Sequence, residues 1–363
     1  LDHPDRPAQP LLPAMKLSDF DYTLPPELIA QRPLAERDAS RLLVLDRASG
    51  RVTHSRFLDL PNFLETGDLL VLNDTRVFPA RLFGRKATTG GRVEVLLLEE
   101  LGHQTWVALL KPYGRIRASQ RLAFTDGMEA VVEERLGDGQ AMVRFFGGGP
   151  FRPWLEAHGR TPLPPYIKRD PDEPLEEKED RERYQTVFAA RPGAVAAPTA
   201  GFHFTERIFE ALSDRRVEWV TITLHVGLGT FQPVATERLE EHVMEEESYE
   251  VGREAAEAIN RAAADGRRII AVGSTAMRTI ESAASSGGER KIAPIEGTTA
   301  LYIYPGYTFS IVDGLLTNFH LPCSTLLLLV CAFGGKDRIF DAYREAVARR
   351  YRLYSYGDAM LIL

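Results

Sequence analysis

The sequence predicts a mixed α/β protein that carries a small antiparallel β-barrel as an inserted domain. Segments 41–46 and 68–73 are short and almost fully apolar, which is typical of buried strands. Between residues 76 and 150, short apolar segments recur between glycine-containing turns, as in a small barrel. From residue 184 onward, apolar strand patterns alternate with helical patterns, which indicates an α/β layer architecture.

The inserted β-barrel domain is predicted over residues 76–150. Turn dipeptides such as Asp126-Gly127 and Asp138-Gly139 separate its apolar segments. The predicted strands are 93–98, 106–110, 121–124, 128–132 and 141–145. The flanking segments 15–75 and 151–363 are then predicted to form one discontinuous α/β catalytic domain.

The α/β domain has its clearest elements in the second half of the chain. The predicted strands are 219–224 and 268–272, and the predicted helices are 254–264, 276–284 and 324–333. Residues 168–183 have too little apolar surface to pack, so a mobile loop is predicted there. The polar, proline-rich residues 1–14 are predicted to be a disordered extension.

The composition is that of a globular protein, with 44% apolar and 26% charged residues. The formal charge of -7 argues against indiscriminate binding to nucleic acid, although a basic stripe on an acidic body remains compatible with it. Cys323 and Cys331 cannot build a disulfide framework, which favours a reducing compartment. The longest apolar run, 326–333, is too short to cross a bilayer, and the first fourteen residues lack the regions of a signal peptide, so we expect a cytoplasmic protein with no membrane partner. A monomer is expected.

Polar blocks beside apolar core sequence are the strongest indication of a function. The chain has 8 histidines, and three of them, His203, His225 and His320, stand beside turn residues and hydroxyl or amide side chains at predicted element ends. This clustering predicts one active site. Zinc is not expected there, because neither a His-x-x-x-His nor a Cys-x-x-Cys spacing occurs.

Two further blocks have the form of ligand-binding turns. The strand 268–272 runs into Gly273, Ser274 and Thr275 before a helix, so backbone N–H groups at the helix start would favour a polar or anionic group. Arg278 and Glu281 lie one turn apart on that helix and equally fit an exposed ion pair. The block 225–230 contains Gly-x-Gly but has Gln232 where a dinucleotide fingerprint needs glycine, so it is either a tight turn or a loop that a ligand approaches closely.

The C-terminal segment and the predicted domain junction are the candidate RNA contacts. Tyrosines 351, 354 and 356 alternate with arginines near the C-terminus and fit either base stacking or a half-buried sheet. A second basic cluster begins in the block 73–76.

Read together, these blocks closely resemble the S-adenosylmethionine:tRNA ribosyltransferase-isomerase family of queuosine biosynthesis. The resemblance extends over residues 15–363. The matching stretches are Asn73-Asp-Thr-Arg-Val77, Tyr184-Gln-Thr-Val187, Ala197-Pro-Thr-Ala-Gly-Phe-His-Phe-Thr205, His225-Val-Gly-Leu-Gly-Thr-Phe-Gln-Pro-Val234, Ile303-Tyr-Pro-Gly-Tyr307, Thr317-Asn-Phe-His-Leu-Pro322 and Tyr354-Ser-Tyr-Gly-Asp-Ala359.

The resemblance implies a mixed α/β, barrel-like major domain interrupted by a small β-barrel, with the active site near their interface. It implies transfer and isomerisation of the ribosyl part of S-adenosylmethionine onto 7-aminomethyl-7-deazaguanine at the tRNA wobble position. Epoxyqueuosine would form, and adenine and methionine would leave. S-adenosylmethionine is then a co-substrate, tRNA is the partner, and no other cofactor and no metal are expected.

Clustering in the matching blocks, backbone-lined turns and basic side chains lead to a hypothesis for the roles of individual residues. The expected proton-handling or orienting groups are His203, His225, His320, Glu281 and Asp358. The expected substrate-binding residues are Thr199, Gly201, Phe202, Gly227, Gly229, Thr230, Gly273, Thr275, Arg278, Asn318 and Tyr356. The expected tRNA-binding residues are Asn73, Asp74, Arg76, Lys111, Arg115, Arg349, Arg350 and Arg352.

Two other functions remain as alternatives. An S-adenosylmethionine-dependent methyltransferase would share the ligand, but no early strand is followed by an acidic-x-Gly-x-Gly-x-Gly turn. A non-enzymatic RNA-binding module would use the barrel to hold an anticodon loop, but it leaves the buried polar blocks unexplained. Product analysis separates the first from ribosyl transfer, and turnover separates the second.

Overall fold

The computed structural model describes residues 15–169, 174–227, 234, 236–284 and 290–363. The chain divides into two compact units. The first contains the described residues of Leu1–Asp74, Pro198–Leu224 and Gly229–Leu363, and the second those of Thr75–Ala197 and His225–Leu228. The predicted extension 1–14 lies outside the described residues.

The elements follow in chain order. The strands are β1 (Arg41–Leu45), β2 (Val52–Arg56), β3 (Leu69–Asn73), β4 (Thr75–Val77), β5 (Arg81–Lys86), β6 (Arg92–Gly102), β7 (Thr105–Lys111), β8 (Arg121–Ala123), β9 (Met128–Gly137), β10 (Gln140–Gly147), β11 (Arg191–Ala194), β12 (Glu218–Leu224), β13 (Glu247–Val251), β14 (Ile269–Val272), β15 (Ile295–Thr299), β16 (Gly314–Asn318) and β17 (Ala359–Ile362). The α-helices are α1 (Phe151–His158), α2 (Pro174–Arg183), α3 (Glu206–Asp214), α4 (Arg253–Ala264), α5 (Ser274–Ala283), α6 (Thr325–Gly334) and α7 (Lys336–Ala348).

The first unit is built on a nine-stranded sheet in the order β15-β13-β12-β3-β14-β16-β17-β1-β2. Strands β12, β3, β14 and β16 run parallel to one another, and β17 is antiparallel to β16. Every residue of β3, β14, β16 and β17 is buried, which explains why these strands read as nearly continuous apolar runs. The sheet is open rather than barrel-like, because β15 and β2 are its edges.

Parallel strands bring their carboxyl ends to a common edge. Asn73, Val272 and Asn318 end the neighbouring strands β3, β14 and β16, and Leu224 ends β12 beside β3. The polar blocks that follow these strands in the sequence are therefore gathered along one edge of the sheet. Open α/β sheets bind their ligands at this edge.

The second unit contains a closed six-stranded barrel in the order β10-β7-β6-β5-β8-β9. Inward residues alternate with outward ones, as Trp106, Ala108 and Leu110 of β7 show by their burial. Closure leaves the barrel without an unpaired strand edge. The mixed α/β fold class and the small antiparallel barrel are both confirmed.

Helix α1 belongs with the barrel rather than with the α/β unit. Its side chains Phe151, Trp154 and Leu155 are buried in the barrel's hydrophobic core. Contacts of this kind place the described residues of 151–197 in the second unit, whereas the sequence analysis predicts residues from 151 onward in the α/β domain. The apolar side chains of a short helix do not reveal from the sequence which core they fill.

A helix occupies part of the segment that was predicted to be a loop. Residues 174–183 form α2, and residues 170–173 lie outside the described ranges. The buried Asp180 accepts two hydrogen bonds from Arg169, at 2.7 and 2.8 Å. Glu177 likewise accepts from the backbone and hydroxyl of Thr161, at 2.9 and 3.1 Å. Charged side chains hold this segment, so its low apolar content does not prevent a defined structure.

Candidate functional site

The end of β14 forms the start of helix α5 at the sheet's carboxyl edge. Gly273 has φ 94°, a backbone conformation that favours glycine, and its N–H donates to Leu316 O at 2.8 Å. Helix α5 begins at Ser274, and no side chain caps its first turn. The predicted strand–glycine–helix block is therefore present, with backbone N–H groups and the positive end of the helix dipole at this edge.

Asn73 joins three elements at the same edge. Its amide Nδ2 donates to Leu224 O at 3.0 Å and to Thr275 Oγ1 at 3.1 Å, and its Oδ1 accepts from Leu224 N at 3.0 Å. The next residue, Asp74, accepts from Thr223 Oγ1 at 2.6 Å. Both side chains are buried in these contacts, which hold β3, β12 and α5 together.

A second polar cluster lies at the end of β16. Asn318 accepts from Thr199 Oγ1 at 2.8 Å, and its Nδ2 is 3.3 Å from His203 Nε2. Because an amide nitrogen can only donate, His203 Nε2 accepts this hydrogen bond. His203 Nδ1 then carries the ring proton and donates to Ser40 Oγ at 2.7 Å. Three of the predicted site residues are thus joined in one network, in which Asn318 and His203 are buried and Thr199 is half-buried.

His320 lies two residues beyond the same strand. Its Nε2 is 2.8 Å from Thr317 Oγ1, while its backbone N–H donates to Tyr343 Oη at 3.0 Å and its carbonyl accepts from Tyr22 Oη at 2.6 Å. These contacts fix the backbone and one ring nitrogen. The other ring nitrogen, Nδ1, has no hydrogen-bond partner within the described ranges and is the one available to a ligand.

Burial keeps both histidines neutral. Loss of hydration lowers the pKa of His203 to about 3, and the nearby charges of Arg37 and Arg352 act in the same direction. Burial alone lowers the pKa of His320 to about 3. Each ring is therefore neutral near pH 7 and presents one lone pair and one N–H.

This neutrality predicts a specific loss of stability in mild acid. The unfolded chain protonates each histidine as the pH falls below about 6.5, whereas the folded chain does not until about pH 3, so protonation favours unfolding over that window. Between pH 7.5 and 5.5 we expect about 1.4 kcal/mol lower free energy of unfolding for each ring. Urea unfolding at both pH values measures this loss of free energy of unfolding. In His320→Gln the loss should be smaller than in the unchanged protein by about 1.4 kcal/mol. An unchanged pH dependence in that variant would contradict the buried neutral ring.

His225 belongs to the second unit. Its Nδ1 is 2.8 Å from Thr75 Oγ1, and a Cβ on Gly193 would lie 2.7 Å from the imidazole ring. Glycine is therefore required at position 193 for the backbone to pass the ring. Convergence of His225 with His203 and His320 on one site stays a prediction. Gly227 follows in the same unit, and Gly229 and Thr230 lie outside the described residues.

Arg278 is buried and does not pair with Glu281, contrary to the exposed pair considered from the sequence. It forms an ion pair with the buried Glu247, and its Nε donates to Leu301 O at 3.0 Å. Its Nη2 is also buried and has no hydrogen-bond partner among the described residues. A guanidinium held on two sides with one free donor nitrogen suits a carboxylate ligand.

Glu281 instead fastens the segment before β16. Its carboxylate accepts from the backbone N–H groups of Ser310, Ile311 and Val312 at 2.9, 2.9 and 3.0 Å, and from Tyr307 Oη at 3.3 Å. The side chain is 1% exposed. These contacts are those of a structural carboxylate, and a proton-transfer role for Glu281 stays a prediction.

Asp358 organises the C-terminal segment. Its carboxylate accepts from Arg41 N at 2.9 Å, Arg41 Nε at 3.1 Å and Arg352 N at 2.8 Å. Its backbone carbonyl accepts from Asn318 Nδ2 at 3.5 Å, which links this segment to the histidine cluster. The carboxylate is thus engaged by three donors, and its role in proton transfer stays a prediction.

The other predicted site residues take several positions. Gly201, Phe202 and Tyr356 are buried near the histidine cluster, with the rings of Phe202 and Tyr356 6.0 Å apart. Arg352 donates to Arg32 O, and its Nη1 is buried without a hydrogen-bond partner in the described part of the chain. The remaining predicted tRNA contacts are exposed, namely Arg349 and Arg350 in the first unit and Arg76, Lys111 and Arg115 in the second.

The structure adds partners that sequence reasoning missed. Ser40 fixes the ring of His203, Glu247 pairs with Arg278, and Arg41 pairs with Asp358. These residues lie 31 to 317 positions from their partners, and none stands in a polar block that marks it. No group of three or more potential metal ligands occurs among the described residues. Nor does any helix within the described ranges have both the length and the apolar character to cross a membrane.

The chain is similar to known proteins in both sequence and fold. The sequence profile of the family described as queuosine biosynthesis protein matches residues 17–362. A Carboxydothermus hydrogenoformans protein named S-adenosylmethionine:tRNA ribosyltransferase-isomerase is 52% identical over 352 residues, covering 96% of this chain and 100% of that protein. The Desulfitobacterium hafniense protein of the same name is 51% identical over 350 residues with the same coverage. The crystal structure of S-adenosylmethionine tRNA ribosyltransferase from Thermotoga maritima has 38% identity and a TM-score of 0.54, covering 95% of this chain and 100% of that one.

The fold and the buried polar clusters at the sheet's carboxyl edge are those of a mixed α/β enzyme. The chain belongs to the family of queuosine biosynthesis proteins. The family and the transferase and isomerase class inferred from the sequence are thereby confirmed.

Proposed function

We propose that this protein uses S-adenosylmethionine as a ribosyl donor to tRNA. It transfers and isomerises the ribosyl moiety onto 7-aminomethyl-7-deazaguanine at the wobble position, giving epoxyqueuosine-tRNA and releasing adenine and methionine. The observation that carries the proposal is the network that joins the half-buried Thr199 to the buried Asn318 and His203 at the end of β16, beside the uncapped start of α5. The names of the similar proteins support the same donor and acceptor.

The reaction requires several proton movements near a cation. The sulfonium acidifies the adjacent ribose 5′ hydrogens, so a positioned acceptor can remove one of them. Adenine needs a proton or a hydrogen-bond donor as its glycosidic bond breaks, and the tRNA amine must lose a proton to become a nucleophile. Neutral imidazoles suit this environment because the resting rings add no positive charge beside the sulfonium, and each offers a lone pair that can accept a hydrogen bond or a proton.

His320 is the better candidate for contact with the reacting atoms. Both ring nitrogens of His203 are occupied, by Asn318 and Ser40, so His203 acts as an orienting group for Asn318. His320 has Nδ1 available, while Nε2 is fixed by Thr317. Thr275 and the first-turn N–H groups of α5 then hold the polar groups of the nucleoside.

Arg278 supplies the site for the methionine carboxylate. Glu247 and Leu301 O hold its guanidinium and leave Nη2 free among the described residues, as a carboxylate-binding nitrogen requires. We expect Arg278→Lys to raise the dissociation constant of S-adenosylmethionine about tenfold or more, because one ammonium nitrogen cannot replace the three guanidinium nitrogens that contact Glu247, Leu301 O and the ligand. Calorimetric titration measures it, with exposed Arg261→Lys on α4 as the matched control. Unchanged affinity in a folded Arg278→Lys variant would contradict this assignment.

The tRNA would be held by exposed cations at the C-terminus. Arg352 has a buried Nη1 that lacks a partner in the described part of the chain, and Arg349 and Arg350 are exposed beside it. Phosphate oxygens accept hydrogen bonds from exposed guanidinium groups such as those of Arg349 and Arg350. These residues therefore support binding of the anticodon stem-loop to the first unit.

Product analysis tests the proposed function. The protein is incubated with S-adenosylmethionine and tRNA carrying the aminomethyl-deazaguanine base, and nucleosides and small molecules are separated by mass. Free adenine, methionine and a modified nucleoside in equal amounts are expected. S-adenosylhomocysteine would identify a methyltransferase, and tight tRNA binding without turnover would identify a binding module.

A further inference from the structure

Two segments at one end of the barrel carry a concentration of positive charge, beside the β9–β10 hairpin with its exposed Glu134 and Asp138. Segments 85–92 and 111–121 together contain seven arginine and lysine residues and no aspartate or glutamate. The chain as a whole has a formal charge of -7. We call this surface the cationic end of the barrel, formed by Arg85, Lys86, Arg92, Lys111, Arg115, Arg117 and Arg121.

Strand pairing brings the two segments together. Arg85 at the end of β5 pairs with Arg92 at the start of β6, and Lys111 at the end of β7 lies opposite Glu94 of β6. The N–H of Ala87 donates to Arg121 O at 3.0 Å, where β8 begins beside β5. The four strands β7, β6, β5 and β8 are consecutive in the barrel. At about 4.8 Å between strands, the charges extend over roughly 14 Å.

Six of the seven cations have no ion-pair partner in the described part of the second unit. Among the described residues, Arg121 alone of the seven has a carboxylate within 4 Å, that of Glu129 at 3.9 Å. Glu94 is the cross-strand neighbour of Lys111, but its carboxylate accepts a hydrogen bond from Arg81 Nη1 at 2.6 Å. The side chains of Arg92 and Arg117 are exposed and form no ion pair in the described part of the chain. Uncompensated like charges repel one another unless a polyanion binds there.

The shape and chemistry of this end favour a sugar-phosphate backbone. Its width exceeds that of a single small anion and suits several consecutive phosphates. The aromatic ring in the segment, Tyr113, is covered by the guanidinium of Arg135 at 4.1 Å, and its hydroxyl accepts from Gly137 N at 3.1 Å. No large apolar side chain in either segment is exposed as a membrane-inserting surface would require. The surface is therefore equipped for phosphate contacts and not for base stacking.

We propose that the cationic end of the barrel is a docking surface for the phosphate backbone of an RNA, which it positions without reading base sequence. The inference rests on the proposed function for the identity of the RNA, a tRNA. It adds Arg85, Lys86, Arg92, Arg117 and Arg121 to the exposed Lys111 and Arg115. Phosphate contacts fix the register of a nucleic acid, while base contacts elsewhere specify it.

Charge reversal at two positions without internal partners tests the surface. In Arg92→Glu/Arg117→Glu, we expect tRNA binding at 100 mM salt to weaken at least tenfold, because each lost phosphate contact removes released counterions. The slope of log affinity against log salt should become shallower by about 1 to 2. The control, Arg253→Glu/Arg261→Glu on the exposed side of α4, changes the net charge equally and should weaken binding less than threefold. Fluorescence anisotropy with labelled tRNA at 50 to 200 mM salt measures both.

The outcomes separate this inference from the proposed function. Equal weakening in the two double variants, or no weakening in either, overturns the docking surface. Binding to vesicles of phosphatidylglycerol in preference to tRNA overturns it as well, as does a strong dependence on stem sequence. Adenine release by the unchanged protein is followed in parallel. Absence of adenine release rejects the proposed function. Whether RNA binds at the barrel is decided separately, by the affinity for tRNA and its salt dependence in the two double variants.

Discussion

His320→Gln is expected to lower the rate of adenine release from S-adenosylmethionine at least about 100-fold without unfolding the protein. The glutamine amide reaches the position of Nε2, so it preserves the contact with Thr317 Oγ1. It carries no nitrogen at the position of Nδ1, the ring atom that is free among the described residues. Loss of a positioned proton-transfer group costs about 10² to 10⁴ in rate.

Two variants complete this experiment. His320→Asn keeps a polar atom near the position of Nδ1 but loses the contact with Thr317, so it should retain more activity than His320→Gln. His103→Gln replaces an exposed histidine on the barrel and should leave the rate unchanged. Single-turnover measurement of adenine release compares them at saturating substrate. Activity of His320→Gln within a few-fold of the unchanged protein would contradict a direct role.

Asp358→Asn is expected to lower the free energy of unfolding by about 3 kcal/mol. The carboxylate is 1% exposed and accepts from three donors, two on Arg41 and one on Arg352. An asparagine amide nitrogen would face one or two of these donors, and the charge of Arg41 would lose its partner. This loss of free energy is at the low end of the range for removing one partner of a buried ion pair, because the Arg41 side chain is 38% exposed to solvent.

The matched control for this stability measurement is Asp341→Asn on helix α7. Asp341 forms an ion pair with Arg344 one turn away, and its side chain is 64% exposed. We expect its loss to change the free energy of unfolding by less than about 0.5 kcal/mol. Urea denaturation at pH 7 measures both variants. A change at Asp358 no larger than that at Asp341 would show that the C-terminal segment does not depend on the carboxylate.

The fold was predictable where one physical signal dominates. The buried parallel strand β14 and helix α4, predicted over 268–272 and 254–264, match their apolar patterns closely. Strand β13 and the edge strand β15 were missed, because strands with an exposed face carry a weaker apolar signal. The placement of α1 on the barrel was not predictable, since its apolar side chains do not identify their partner core.

The site was predictable as a set of blocks but not as a set of contacts. Asn318, His203 and Thr199 were each named from the sequence, and the structure joins them. The helical spacing of Arg278 and Glu281 indicated a mutual pair, whereas tertiary structure gives each a different buried partner. Long-range partners such as Ser40 and Glu247 carry no local sequence pattern, so only the fold reveals them.

The position of bound S-adenosylmethionine in a crystal of the complex tests the central claim most directly. The account predicts the nucleoside at the carboxyl edge of the sheet, within contact distance of His320 and the start of α5 at Thr275, with the carboxylate on Arg278. Density for the ligand elsewhere in the protein, with these side chains unchanged and remote from it, would contradict the account.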